Sequence, residues 1–175
     1  MNVVIKRRVA AHNIDALNRS VVATEDIQNG SIFTLGARNT TDAGEEVWKP
    51  SKPTAASLGV WMAYSSEIVT TNVTDGEDIS LNFRGIVEDP RMFTNVAGIT
   101  FNAFKPQVGD IIEMTQGQDT SGEYLVAGTD YALTIASAAG DGFAMKKIGT
   151  GILHIGTPGL NKTPVKTYIY EVEAN

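Results

Sequence analysis

The stretch YLVAGTDYALTIASAAGDGFAMKKIGTGILHIG, residues 124–156, decides the fold class. Runs rich in apolar residues at 124–127, 132–135, 143–148 and 152–155 are separated by segments that contain glycine. Short runs of this kind, bounded by turn residues, are typical of β-strands. The stretch therefore predicts consecutive strands, with the tight turn of a hairpin at Gly149-Thr150-Gly151.

The same pattern extends over most of the chain. Apolar runs are broken by Gly, Asn or Asp about every ten residues, and the helical period is weak. The run at 58–64 is the most hydrophobic one before the middle of the chain, and it indicates a strand buried on both faces. Further strands are predicted at 20–24, 31–35, 99–104, 108–114 and 165–172. We therefore predict a mostly β fold, either a sandwich or a barrel-like domain with long polar loops.

The length of 175 residues suits one domain with an appended segment. We predict a single β-rich domain over 20–175, preceded by residues 1–19 as an N-terminal arm or a short helix. The polar segment 36–53 is interrupted by two prolines and is expected to be an exposed loop. Residues 65–98, rich in Thr, Asp and Glu, are expected to form a long irregular excursion.

Composition excludes several classes of function. The net charge of −6 argues against nucleic acid as the main partner, because that affinity depends on Lys and Arg displacing counterions. The chain has no cysteine, which excludes disulfides, thiolate nucleophiles and Cys-based zinc sites. This composition suits a chain that matures in a reducing cytosol. No apolar stretch approaches the length of a membrane helix or a secretion signal, so no membrane partner is expected.

The search for chemistry-bearing residues predicts no catalytic, cofactor or metal site. The only histidines are His12, in the N-terminal segment, and His154, within an apolar strand, and neither is a good general base. The acidic stretch 75–78 lacks the alternating ligand series of a calcium loop. Nucleophile-elbow, phosphate-loop and zinc-protease motifs are absent from the sequence. We therefore expect a protein that is not an enzyme.

Two short segments are candidates for binding a partner protein. Lys6, Arg7 and Arg8 form a basic triplet on an acidic chain, which as an arm would pair with an acidic surface. Trp48 and Lys49 lie in the predicted loop, where an exposed aromatic is a plausible interface anchor or sugar platform. Trp61, by contrast, belongs to the most apolar strand and is expected to pack in the core.

Residues 23–36, ATEDIQNGSIFTLG, resemble the start of small β-rich proteins that decorate the heads of tailed bacteriophages. Residues 143–156 and the last strand, which ends YIYEV at 168–172, are similar to the closing strands of that family. The resemblance covers about a third of the chain. It implies a capsid decoration, or cement, protein that binds between major capsid subunits on the outside of the virion, commonly as a homotrimer, after synthesis in the host cytoplasm. No catalytic residues belong to that family.

Three alternatives stay open. A tail-tube or head-fibre component shares the β-rich, non-enzymatic character. A carbohydrate-binding β module would use Trp48 and nearby polar residues. An enzyme whose paired carboxylates are distant in sequence is the third.

Overall fold

The computed structural model describes residues 4–41, 44–64, 94–95, 97–156 and 162–175. Over these residues the protein is mostly β, with 55% strand and 5% helix, which confirms the predicted fold class. Two single-turn 3-10 helices, Ala10–His12 and Asp15–Leu17, follow the first strand. In chain order the strands are β1 (Val4–Arg8), β2 (Asn18–Val22), β3 (Ile27–Gln28), β4 (Ile32–Thr40), β5 (Glu46–Ser51), β6 (Trp61–Tyr64), β7 (Thr94–Asn95), β8 (Thr100–Phe104), β9 (Ile111–Met114), β10 (Tyr124–Ala127), β11 (Leu133–Ala136), β12 (Ala144–Gly156) and β13 (Lys162–Ala174).

Two β layers form the body. Six strands make an antiparallel sheet in the order β1-β9-β13-β12-β10-β11, and five close into a barrel in the order β2-β5-β4-β6-β8. The short strands β3 and β7 pair separately. Closure leaves the barrel without open edges. In the larger sheet, the edge strands are β1 and β11. No helix in the described ranges is long and apolar enough to cross a membrane.

The main hydrophobic core lies between the two layers. It combines barrel and sheet residues in one buried cluster that includes Ile32, Met62, Phe104, Ile112, Met114, Leu125, Tyr168, Tyr170 and Val172. A second cluster belongs chiefly to the barrel strands, where Phe33 meets Phe101 edge to face at a centroid distance of 5.9 Å. Trp61 belongs to this second cluster and is only 7% exposed, which confirms the expectation that it is a core residue. The strand predicted at 58–64 is confirmed only in its second half: β6 covers Trp61–Tyr64 and its first three residues are buried, whereas Leu58 lies before the strand and is 56% exposed.

The N-terminal segment is part of the sheet rather than an arm. Strand β1 pairs antiparallel with β9, and Val4 and Val9 lie in the main core cluster. A free arm would leave both valines in water, whereas burial of such a side chain is worth roughly 1.5–3 kcal/mol. The expectation of an arm over 1–19 is therefore wrong for the described residues, and the alternative of a short helix is met only by the two single-turn helices.

Most of the segment 36–53 lies in the paired strands β4 and β5, so the expectation of a loop is wrong, although many of its side chains are exposed. Residues 38–40 of β4 pair with residues 46–48 of β5. Val47 and Pro50 are buried, whereas residues 46, 49 and 51 are exposed. The proline is accommodated because the pairing register shifts between Leu35 and Arg38, where a regular ladder hydrogen bond is not required.

Gly149-Thr150-Gly151 is not a hairpin turn, and that prediction is wrong as well. The strands expected at 143–148 and 152–155 are one continuous strand, β12, with a bulge between Lys147 and Gly149. Of the irregular excursion expected at 65–98, residues 65–93 lie outside the described residues. Thr94–Asn95 form β7, and residues 97–98 follow as a turn.

Candidate functional site

The hairpin of β12 and β13 is longer than the sheet that holds it. The two strands pair from Ala144 and Ala174 out to Gly156 and Lys162. However, β10 pairs with β12 only through residues 144–146, and β9 pairs with β13 only through residues 168–171. Within the described chain, the six outermost pairs of the hairpin have no third strand beside them. At about 3.3 Å per residue they extend roughly 20 Å. We call residues 151–156 and 162–167 the projecting hairpin.

One face of the projecting hairpin continues the core-facing side of the sheet. Side chains alternate along a strand, so Pro164 and Lys166 lie on the same face of β13 as Tyr168 and Tyr170. The two tyrosines are buried in the core, but Pro164 and Lys166 are exposed. Ile152 pairs with Lys166 and is 67% exposed. The core-facing side of the sheet thus continues past its last buried tyrosine and becomes open to solvent, with Ile152 and Pro164 as its apolar side chains there.

A shallow groove marks this open face. Exposed apolar side chains that lie together, bordered by polar ones, are typical of contact sites, whereas isolated ones are ordinary. The groove is lined by Thr150, Gly151, Ile152, Pro164 and Lys166.

A buried carboxylate from β9 holds one face of the hairpin root. The Glu113 carboxylate accepts a hydrogen bond from Nε of Arg7 at 2.5 Å and another from the Thr167 hydroxyl. Burial alone would raise the pKa of Glu113, but these hydrogen bonds and the Arg7 charge outweigh it and lower that pKa. A Cβ atom at Gly151 would lie 2.5 Å from the carboxylate. A larger residue at this point of β12 would displace the Glu113 carboxylate from its hydrogen bonds, so glycine leaves the space that the carboxylate occupies.

A second buried carboxylate holds the opposite face of the root. Glu123 has no exposed side-chain surface and accepts a hydrogen bond from the Tyr170 hydroxyl at 2.7 Å. Its Oε2 lies 3.3 Å from the Lys147 ammonium, which also donates to the carbonyls of Gln118 and Thr120. Burial, with the adjacent Glu123 charge, raises the pKa of Tyr170 well above its usual value, so this hydroxyl remains a donor at neutral pH.

These two contacts fix the direction of the hairpin. Thr167 and Tyr170 are three positions apart on β13 and so point to opposite faces. Each is held by a different buried carboxylate, from β9 in one case and from the segment before β10 in the other. A satisfied buried polar network makes a structure more rigid than apolar packing alone. The root of the projecting hairpin is consequently fixed to the body on both faces.

The basic triplet lies in β1, at the edge of the larger sheet. Lys6 is half-buried, its ammonium lies 4.3 Å from the centre of the Tyr64 ring, and burial lowers its pKa. Arg7 forms an ion pair with Glu113. Arg8 is exposed to solvent. The triplet is thus not one basic surface, because its three side chains have different environments.

Trp48 and Lys49 lie in β5 of the barrel, away from the elements that hold the triplet. Trp48 is half-buried against the second core cluster, and the Arg38 guanidinium lies 4.9 Å from its ring centre. A sugar stacking on Trp48 would have to compete with this guanidinium for the ring. Lys49 is exposed. Among the described contacts, none joins this pair to the basic triplet.

The remaining candidate residues form no shared centre in the described part of the chain. His12 is exposed and its ring Nε2 lies 3.1 Å from the Lys6 carbonyl oxygen, while His154 is exposed on the projecting hairpin. The acidic stretch 75–78 lies outside the described residues. In the ranges that the structure describes, no three His, Cys, Asp or Glu side chains come together as a metal site.

Sequence reasoning missed the projecting hairpin, although one signal for it is present. Between Asp141 and Glu171 the chain contains no acidic residue, and it contains four lysines there. Such a charge bias over a run of strands indicates a surface that differs from the rest of the molecule. Comparisons with known proteins identify no relative: no family model, no curated protein and no solved structure matches the chain.

Proposed function

We propose that the chain is a structural assembly protein and that the projecting hairpin is the element with which it reaches a neighbouring subunit. The observation that carries this proposal is the hairpin itself, roughly 20 Å of paired strands with an exposed isoleucine. An isolated two-stranded hairpin is at best marginally stable in water. This one is fixed at its root by two buried carboxylates, which suits an element that is held ready for a partner.

Within this class, we propose a decoration protein that binds the assembled head of a tailed phage. The resemblance of residues 23–36 and 143–156 to that family favours this role, and the second stretch contains the β12 half of the projecting hairpin. In this role the chain contacts the major capsid protein on the outside of the shell, as an oligomer, and performs no chemical step. Binding the assembled shell in preference to free subunits stabilises the shell by mass action.

The decisive experiment is co-sedimentation of the purified protein with intact shells from its own source. We expect the protein to pellet with intact shells and to stay in the supernatant with dissociated shell subunits at the same concentration. Failure to pellet with intact shells would contradict a decoration role. Electron microscopy of the isolated protein separates the tail-tube and head-fibre alternatives, since stacked tubes or long fibres would favour those, and discrete particles favour decoration.

A further inference from the structure

We propose that the projecting hairpin docks on the acidic body of a second copy of this chain, with Ile152 at the centre of the contact. This inference rests on the proposed function and names the partner of the same site. Its first support is the open face of the hairpin, because Ile152 continues a core-facing side on which Tyr168 is the last buried side chain of β13 toward the tip. A second copy would cover the part of that side that is open.

The charge distribution indicates which surface of a second copy the projecting hairpin would contact. Four of the chain's 14 basic residues and none of its 20 acidic residues lie at 142–170. In the rest of the described chain, 13 acidic residues stand against 8 basic ones. Lys146 and Lys147 pair with Glu173 and Glu123 of the body. The charged residues on the projecting hairpin itself are Lys162 and Lys166. The basic projecting hairpin of one copy is electrostatically complementary to the acidic body of another copy. Such complementarity sets both the choice of partner and the register of the contact.

At one place on the body, carboxylates outnumber the cation that they share. Glu25 and Asp130 both pair with Lys52, so two carboxylates share one ammonium and a net negative charge remains there. Asp130 is 76% exposed. On the hairpin side, Lys166 already lies beside Asp119 of its own chain. That ion pair is solvent-exposed and therefore weak, so an intermolecular contact can replace it at small cost.

The contact is heterologous, because the hairpin and the acidic body are different surfaces. Each copy donates one hairpin and receives one, and such contacts close into a ring when the rotation between copies permits. The apolar part of the contact comes from Ile152, and the charged part is screened by salt. The assembly should therefore loosen as ionic strength rises.

The test compares two substitutions of equally exposed side chains. Ile152→Glu puts a carboxylate into the apolar contact and opposite an acidic surface. Val108→Glu is the matched control, because Val108 is also 67% exposed but lies on the body. Both positions are solvent-exposed, so both variants should fold, and circular dichroism checks this. The readout is molar mass by light scattering on a size-exclusion column over a range of protein and salt concentrations.

We expect the unmodified protein and Val108→Glu to have a mass several times that of the 18.7 kDa chain. Ile152→Glu should raise the concentration at which half the assembly dissociates by roughly tenfold or more. Monomeric unmodified protein, or an Ile152→Glu variant that assembles as well as the control, would overturn the inference. Shell binding is measured separately. A monomer that pellets with shells defeats the self-docking inference and the oligomeric form of the proposed role but leaves shell binding standing, whereas an oligomer that ignores shells defeats the decoration role alone.

Discussion

Replacement of Glu123 by alanine is expected to lower the free energy of unfolding by about 3–5 kcal/mol, because it leaves a buried charge without its partner. Lys147 is only 10% exposed and pairs with Glu123. The variant also removes the acceptor of the Tyr170 hydroxyl. Urea denaturation followed by tryptophan fluorescence measures the change, and it should be the largest for any single charged residue at the hairpin root.

The matched control is Asp119→Ala. Like Glu123, this carboxylate pairs with a lysine, here Lys166 of β13, but it is 68% exposed. Exposed ion pairs contribute about 0–1 kcal/mol. A Glu123→Ala variant that loses no more stability than Asp119→Ala would show that the buried network does not hold the hairpin root.

Trp61→Ala should also cost about 3–5 kcal/mol, the usual effect of truncating a buried aromatic residue to alanine. Trp61 is almost wholly buried in the second core cluster, with the Arg19 guanidinium 5.5 Å from its ring centre. Thermal and urea denaturation give the loss of stability. Trp48→Ala serves as the comparison, since Trp48 is half-buried and its removal should cost less. A loss below about 1 kcal/mol for Trp61→Ala would contradict its place in the core.

The fold class was predictable because its signals are local. Turn residues recur at short intervals along the chain, and the apolar run at 58–64 indicates the buried strand β6, which begins three residues later than predicted. The strands predicted at 20–24, 31–35, 99–104 and 108–114 correspond to β2, β4, β8 and β9. The sheet to which each strand belongs was not predictable. β8 and β9 are close in sequence but lie in different layers, and only long-range pairing decides this.

The errors also come from long-range contacts. Lys6-Arg7-Arg8 has the composition of a solvated arm, yet Arg7 meets a carboxylate 106 positions further along the chain. Gly149-Thr150-Gly151 has the composition of a turn, yet Gly151 makes room for Glu113 of another strand. A glycine required for close approach and a glycine required for a turn have the same appearance in a single sequence.

The candidate site could have been found in part. The lack of acidic residues at 142–170 is visible in the sequence, and it separates this segment from the rest of an acidic chain. The projection is not visible, because it depends on where β9 and β10 stop pairing with the hairpin. The length of neighbouring strands is a tertiary property and has no local signature.

Thiol labelling tests most directly whether the projecting hairpin is the docking element. The chain has no cysteine, so Ile152→Cys introduces one thiol on the hairpin and Val108→Cys introduces one on the body at equal exposure. The rate of maleimide labelling is measured for each variant when assembled, with itself or on shells, and when dissociated by dilution. We predict that assembly slows labelling at position 152 and leaves labelling at position 108 unchanged. Equal labelling rates at position 152 in both states would contradict the account.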